Sequence, residues 1–128
     1  MKLRLFKDSV RFRVRRPDLE RLVSSGEVVH SVRTGADDAH RLEYRLVSAD
    51  VPGPVLEPLP SGLCVRLPSA DVGRWAAGPE TGIEFRTPWG VRVLVEKDFP
   101  CMEPRIDEGN EGTFERPSSA SGTCNADA

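Results

Sequence analysis

Apolar and polar side chains alternate strictly along five stretches of the chain. Val10, Phe12 and Val14 fall on one face, with Arg11, Arg13 and Arg15 on the other. Leu42, Tyr44 and Leu46 alternate with Glu43 and Arg45, and Leu63, Val65 and Leu67 with Cys64 and Arg66. Ile83 and Phe85 oppose Glu84 and Arg86, and Val91, Val93 and Val95 oppose Arg92, Leu94 and Glu96. A period of two is that of a strand with one face buried. Strands buried on both faces would read as unbroken apolar runs, so the pattern predicts half-buried, antiparallel pairing.

Two segments switch to the helical period. After Pro17, Leu19, Leu22 and Val23 recur at i, i+3 and i+4, with Asp18 and Glu20 in the first turn. After Pro68, Val72, Trp75 and Ala76 do the same, with Asp71 early. Proline suits the first helical position, where its missing N–H is no loss. Gly26 and Gly78 are expected to stop the two helices in a positive-φ conformation. Turn signals lie at Lys7-Asp8-Ser9, Gly35 to His40, Pro60-Ser61-Gly62 and Pro88-Trp89-Gly90. The proline-rich stretch from Val51 to Pro60 is expected to be an extended connector.

The two halves resemble each other. An offset of 53 carries Asp18 to Asp71, Leu19 to Val72, Arg21 to Arg74 and Leu22 to Trp75, and Val32-Arg33-Thr34 onto Phe85-Arg86-Thr87. The sequence therefore predicts an α+β fold of two ββαββ pseudo-repeats, a mostly antiparallel sheet or barrel with two short helices. It assigns one domain to residues 1–103, with halves about 1–50 and 55–99. From Pro104 on, Ile106 and Phe114 are the only large apolar side chains, too few to offset the entropy of ordering. Residues 104–128 are expected to be a disordered acidic tail.

Length and composition narrow the class. A chain of 128 residues, 38% hydrophobic, can bury a core of its own. No apolar run approaches the roughly 20 residues of a membrane helix, and Lys2, Arg4 and Lys7 interrupt the first apolar residues, so neither a spanning segment nor a secretory leader is expected. Three cysteines, Cys64, Cys101 and Cys124, form no C-x-x-C pair and point to a reducing, cytoplasmic setting. His30 and His40 stand at no metal-ligand spacing from them, so no metal or cofactor is implied. A net charge of −2 excludes a generally basic nucleic-acid coat. The charge is nonetheless uneven: residues 1–16 hold seven cations against Asp8, and residues 96–128 hold eight carboxylates against three cations.

The candidate chemistry is that of binding. Arg11, Arg13 and Arg15 would stand about 6.6–7 Å apart along a strand, a spacing on the scale of successive phosphates, and Arg4 would join them across the hairpin. The plain alternative is that a carboxylate such as Glu43 pairs with one of them. Glu96 and Asp98 share a strand face and read as an exposed strand end, with Phe99 plugging the core edge and Cys101 buried. His30 shares the phase of Val28 and Val32 and is expected to face the core, hydrogen-bonded, whereas His40 lies in an exposed turn. Trp75 is expected in the core. Trp89, in a Pro-Trp-Gly turn, is a candidate partner anchor. No glycine-rich phosphate loop, Ser-His-Asp set or H-E-x-x-H motif is present, and no catalytic residue is assigned.

The strand ending in Leu67-Pro68, the helix, and the hairpin of Gly82 to Phe85 with Val91 to Val95 resemble the swapped-hairpin units of AbrB-like and MazE-like proteins, best over residues 55–97 and less over 3–47. That resemblance implies two interlaced ββαββ units, here a pseudo-dimer within one chain, and DNA binding through basic residues of the first hairpins. The second unit departs from it, with Arg66 alone where the first has Arg11, Arg13 and Arg15. The closing Glu96-Lys97-Asp98-Phe99-Pro100-Cys101 and the basic opening from Lys2 to Arg15 resemble an uncharacterised family of small bacterial proteins. The expectation is a non-catalytic binding module, monomeric or homodimeric. Its partner is nucleic acid, bound as a DNA-binding regulator through Arg4, Arg11, Arg13 and Arg15, or alternatively a protein, met by Trp89 and the acidic tail.

Overall fold

The computed structural model describes residues 1–99. The strands are β1 (Lys2–Phe6), β2 (Ser9–Val14), β3 (Glu27–Arg33), β4 (Arg41–Ala49), β5 (Val55–Leu59), β6 (Gly62–Pro68), β7 (Gly82–Arg86) and β8 (Arg92–Lys97). The helices are α1 (Arg16–Ser25), between β2 and β3, and α2 (Ser69–Ala77), between β6 and β7. The architecture is α+β: two four-stranded mixed sheets and two helices, in two ββαββ units. Of sheet and barrel, the sheets are what form. Residues Met1–Asp98 make one compact unit. The tail expected over 104–128, with Phe114 and Cys124, and the expected burial of Cys101 lie outside the described residues.

The repeat is structural. Lys2 and Val55, Ser9 and Gly62, and Arg16 and Ser69 open corresponding elements, each 53 residues apart. Arg33 and Arg86, which close β3 and β7, keep the same offset. It falls to 51 between Arg41 and Arg92 because the first half has the longer closing turn. Part of the expected connector is thus strand: Val55–Leu59 forms an edge of its sheet, where Pro58 can sit without breaking a ladder.

Each sheet takes one hairpin from each half. Sheet A has the order β1-β2-β8-β7 and sheet B the order β3-β4-β6-β5. Pairing within each hairpin is antiparallel, as expected, but where hairpins of different halves meet it is parallel, β2 with β8 and β4 with β6. The alternation could not announce this. A single parallel seam in each sheet leaves one face polar, so the strands never need the unbroken apolar runs of a doubly covered parallel sheet.

The inward faces meet in one core of Val10, Phe12, Val14, Val28, Leu46, Val65, Leu67, Val93 and Val95 with Leu19, Leu22, Val72 and Trp75 from the helices. The Phe12 ring of sheet A lies 6.4 Å from Tyr44 of sheet B. Trp75 is buried and its Nε1–H donates to the Thr81 carbonyl at 3.0 Å, whereas Val23, placed by its period on the buried face of α1, is exposed. Gly26 ends α1 at φ 81°, but Gly78 is extended, at φ −101°, so only the first helix needs a left-handed cap.

Candidate functional site

The outer face of sheet A carries the arginine row. Strand register sets Arg4 beside Arg11 and Lys2 beside Arg13, and the parallel seam sets Arg11 beside Leu94 and Arg13 beside Glu96. Arg92, Glu84 and Arg86 share the face. The row is closed by carboxylates from the far end of the chain. Arg11 Nε lies 3.6 Å from Glu96 and Arg13 Nε 3.8 Å from it; Asp98 takes Arg13 at 3.1 Å and Lys2 at 3.5 Å. Arg11 is only 5% exposed. Arg92 and Glu84 form a two-bonded pair at 2.8 and 3.2 Å, and the hydrogen bonds from the Arg92 guanidinium hold the Glu84 carboxyl below its ordinary value.

These positions correct several expectations. Glu96 and Asp98 are not an exposed strand end, because the parallel seam puts them against Arg11 and Arg13. Glu43 pairs with Arg45 of its own strand at 2.6 Å, not with the row, because β4 lies in the other sheet. Arg15 leaves the row altogether: β2 ends at Val14, and Arg15 is the exposed N-cap of α1. Phe99, expected to be buried at a core edge, is 51% exposed. Arg4 is exposed and stays in the row with Arg11.

At one end of sheet A the two turns come together. Ser9 pairs with Arg92, and the Arg92 N–H donates to the Asp8 carbonyl at 2.9 Å, so the Lys7-Asp8 turn lies beside the turn from Thr87 to Val91. That second turn is tied internally: Thr87 N–H donates to Val91 O at 2.8 Å, and Val91 N–H donates back to Thr87 Oγ1 at 2.9 Å. Trp89 is carried out from this braced turn, 63% exposed. Leu5 and Phe6 at the end of β1 are 58% and 50% exposed, and the Lys7 ammonium stands 5.7 Å above the Phe6 ring. Sequence reasoning found Trp89 but did not single out Leu5 and Phe6, which lie at the same end of sheet A.

A third cluster joins the start of the chain to sheet B. Asp18 Oδ2 accepts from the Met1 ammonium at 2.6 Å, and Asp18 Oδ1 meets His30 Nε2 at 3.2 Å. The Tyr44 hydroxyl donates to the Met1 carbonyl at 3.4 Å, and the His30 ring stacks on Tyr44 at 5.9 Å. His30 is hydrogen-bonded as expected but lies at the margin of the core, half-buried rather than sealed in. His40 is exposed in its turn. Cys64 is buried on the outer side of β6 among Arg45, Arg66 and Glu57, and burial pushes its thiol up.

Residues 1–118 match the model of a family described as a family of unknown function (DUF7009). No curated protein and no solved structure matches the chain, so the likeness to AbrB-like and MazE-like proteins gains no neighbour.

Proposed function

The chain belongs to this family of unknown function, DUF7009, and we propose that it works as a non-catalytic protein-interaction module anchored by Trp89. The observation that carries this reading is the exposure of Trp89 on a turn braced by three hydrogen bonds, with Leu5 and Phe6 at the same end of sheet A. A large aromatic on a rigid support loses little freedom on binding and can fill a partner's pocket, the usual character of an interface hot spot. Among the described residues, two groups that could have served catalysis have structural employment. His30 is engaged by Asp18 and Tyr44, and the Cys64 thiol is buried and held protonated.

The second reading is DNA binding through Arg4, Arg11, Arg13 and Arg15. It is favoured by the exchange of hairpins between two halves and by the adjacency of Arg4 and Arg11. Against it, Glu96 and Asp98 already occupy Arg11 and Arg13. The test exposes the immobilised full chain and its Trp89→Ser variant to extract from the cells that make it, beside a DNA mobility shift at two salt concentrations. Proteins retained by the native chain and lost with Trp89→Ser support the module. A DNA shift that weakens steeply with salt and disappears on replacing the four arginines by Gln establishes the second reading instead. Identical retention by both chains overturns the first.

A further inference from the structure

Sheet B ends on β3 and β5, and sheet A on β1 and β7. The edges are not alike. β1, β5 and β7 have five residues each, and Pro58 in β5 has no N–H to offer a neighbour. β3 has seven residues, Glu27-Val28-Val29-His30-Ser31-Val32-Arg33, with no proline or glycine among them. Its hydrogen-bond phase is fixed at both ends, where Ser48 N–H donates to Gly26 O and Thr34 N–H to His40 O, each at 2.9 Å. Alternate residues of an antiparallel pair bond the neighbour. Val28, His30 and Val32 therefore turn their backbone groups to β4, and Glu27, Val29, Ser31 and Arg33 turn theirs to the open edge. Those four residues are all exposed, and Val29 and Val32 are 41% and 53% exposed.

We propose that this edge pairs with the same edge of a second copy of the chain, antiparallel about a two-fold axis at His30, so that two B sheets become one eight-stranded sheet. The strand is complementary to itself read backwards. Glu27 falls opposite Arg33 of the second copy, Val28 opposite Val32, Val29 opposite Ser31, and His30 opposite its own counterpart. Residues whose backbone groups face the open edge meet only residues of the same kind, Glu27 with Arg33 and Val29 with Ser31. One register thus satisfies the free N–H and C=O groups of all four on each copy. It also sets opposite charges against each other at both ends and covers Val29 and Val32. Within the single chain Glu27 reaches Arg45 at 3.0 Å and Arg33 reaches Asp38 at 3.4 Å through exposed side chains, and pairs of that kind re-form at little cost. A two-fold contact of this sort is isologous and closes at two copies.

Sedimentation equilibrium of the full chain over a range of concentrations tests the pairing. The native chain is expected to dimerise. Ser31→Pro removes an N–H that faces the open edge and leaves every β3–β4 bond in place, so it is expected to raise the dissociation constant by more than about tenfold with unchanged circular dichroism. Glu27→Arg and Arg33→Glu, which need no change of backbone, should each weaken the dimer, and the double variant should restore it. A native chain that stays monomeric throughout overturns the proposal. So does a dimer that survives Ser31→Pro and both charge reversals, or one that is lost only with Trp89→Ser.

Discussion

At the scale of single residues, Asp18 serves two donors with its two oxygens. Burial opposes ionisation of its carboxyl, but the bonds from the Met1 ammonium and from His30 outweigh burial and hold the group below its ordinary 3.8. A carboxyl depressed in the folded state contributes stability that is complete above the unfolded value and disappears as pH falls through the folded one. Asp18→Asn is accordingly expected to lower stability by about 1–3 kcal/mol near neutral pH, with a smaller difference from the native chain at pH below about 3. Urea unfolding at both pH values checks this, and a gap of equal size at each contradicts the ion-pair account. Gly62 is a second such position. A Cβ there would collide with the Glu43 carbonyl oxygen, across the parallel seam of sheet B. Gly62→Ala must push β4 and β6 apart, and a loss of more than about 3 kcal/mol in thermal unfolding is expected.

At the scale of elements, the charged pairs on the outer faces of the two sheets are unequally enclosed, one on the parallel seam of sheet A and one on the outer hairpin of sheet B. In sheet A, Glu96 of β8 serves two arginines whose side chains are nearly inaccessible, at 6% and 12% exposure. In sheet B, Arg66 of β6 meets Glu57 across the outer hairpin, each about 40% exposed. Removing a carboxylate between enclosed cations leaves charge without its compensation, whereas an exposed pair is replaced by water. Glu96→Ala is expected to cost about 2–4 kcal/mol, and Glu57→Ala to leave the unfolding midpoint nearly unmoved. Parallel denaturation curves decide it: equal effects would show that the β2–β8 charges are as solvated as the outer pair.

At the scale of the whole molecule, neither sheet belongs to one half of the chain. Sheet A needs β1 and β2 from the first half and β7 and β8 from the second, and sheet B needs β3 and β4 with β5 and β6. A half on its own exposes the parallel edges of β2 and β4, or of β6 and β8, and loses the facing wall of the core. A chain cut in the segment between Ala49 and Val55 should therefore give two fragments without cooperative unfolding that regain the native circular dichroism when mixed. If either fragment alone unfolds as cooperatively as the uncut chain, the exchange of hairpins is not what holds the molecule together. The contact with a second copy through β3 lies outside this exchange, so loss of the dimer by Ser31→Pro should leave fragment complementation intact.

The sequence by itself determined what depends on neighbours along the chain. A period of two named the buried Phe12, Val65 and Val93, and a period of 3.6 with Pro17 named Leu19 and Leu22. The offset of 53 exposed the duplication, because corresponding elements must repeat the same local signals. Trp89 stood out because a tryptophan between proline and glycine in a turn has little core within reach. The tertiary structure alone decided which hairpins share a sheet. Alternation is the same for a strand with parallel or antiparallel neighbours, so nothing local says that Arg13 will lie beside Glu96 and Glu43 in another sheet. For that reason the arginines could be placed on one face, but not seen to be closed by Glu96 and Asp98. The open edge of β3 escaped for the same reason, since a strand becomes an edge only when its neighbours have been chosen.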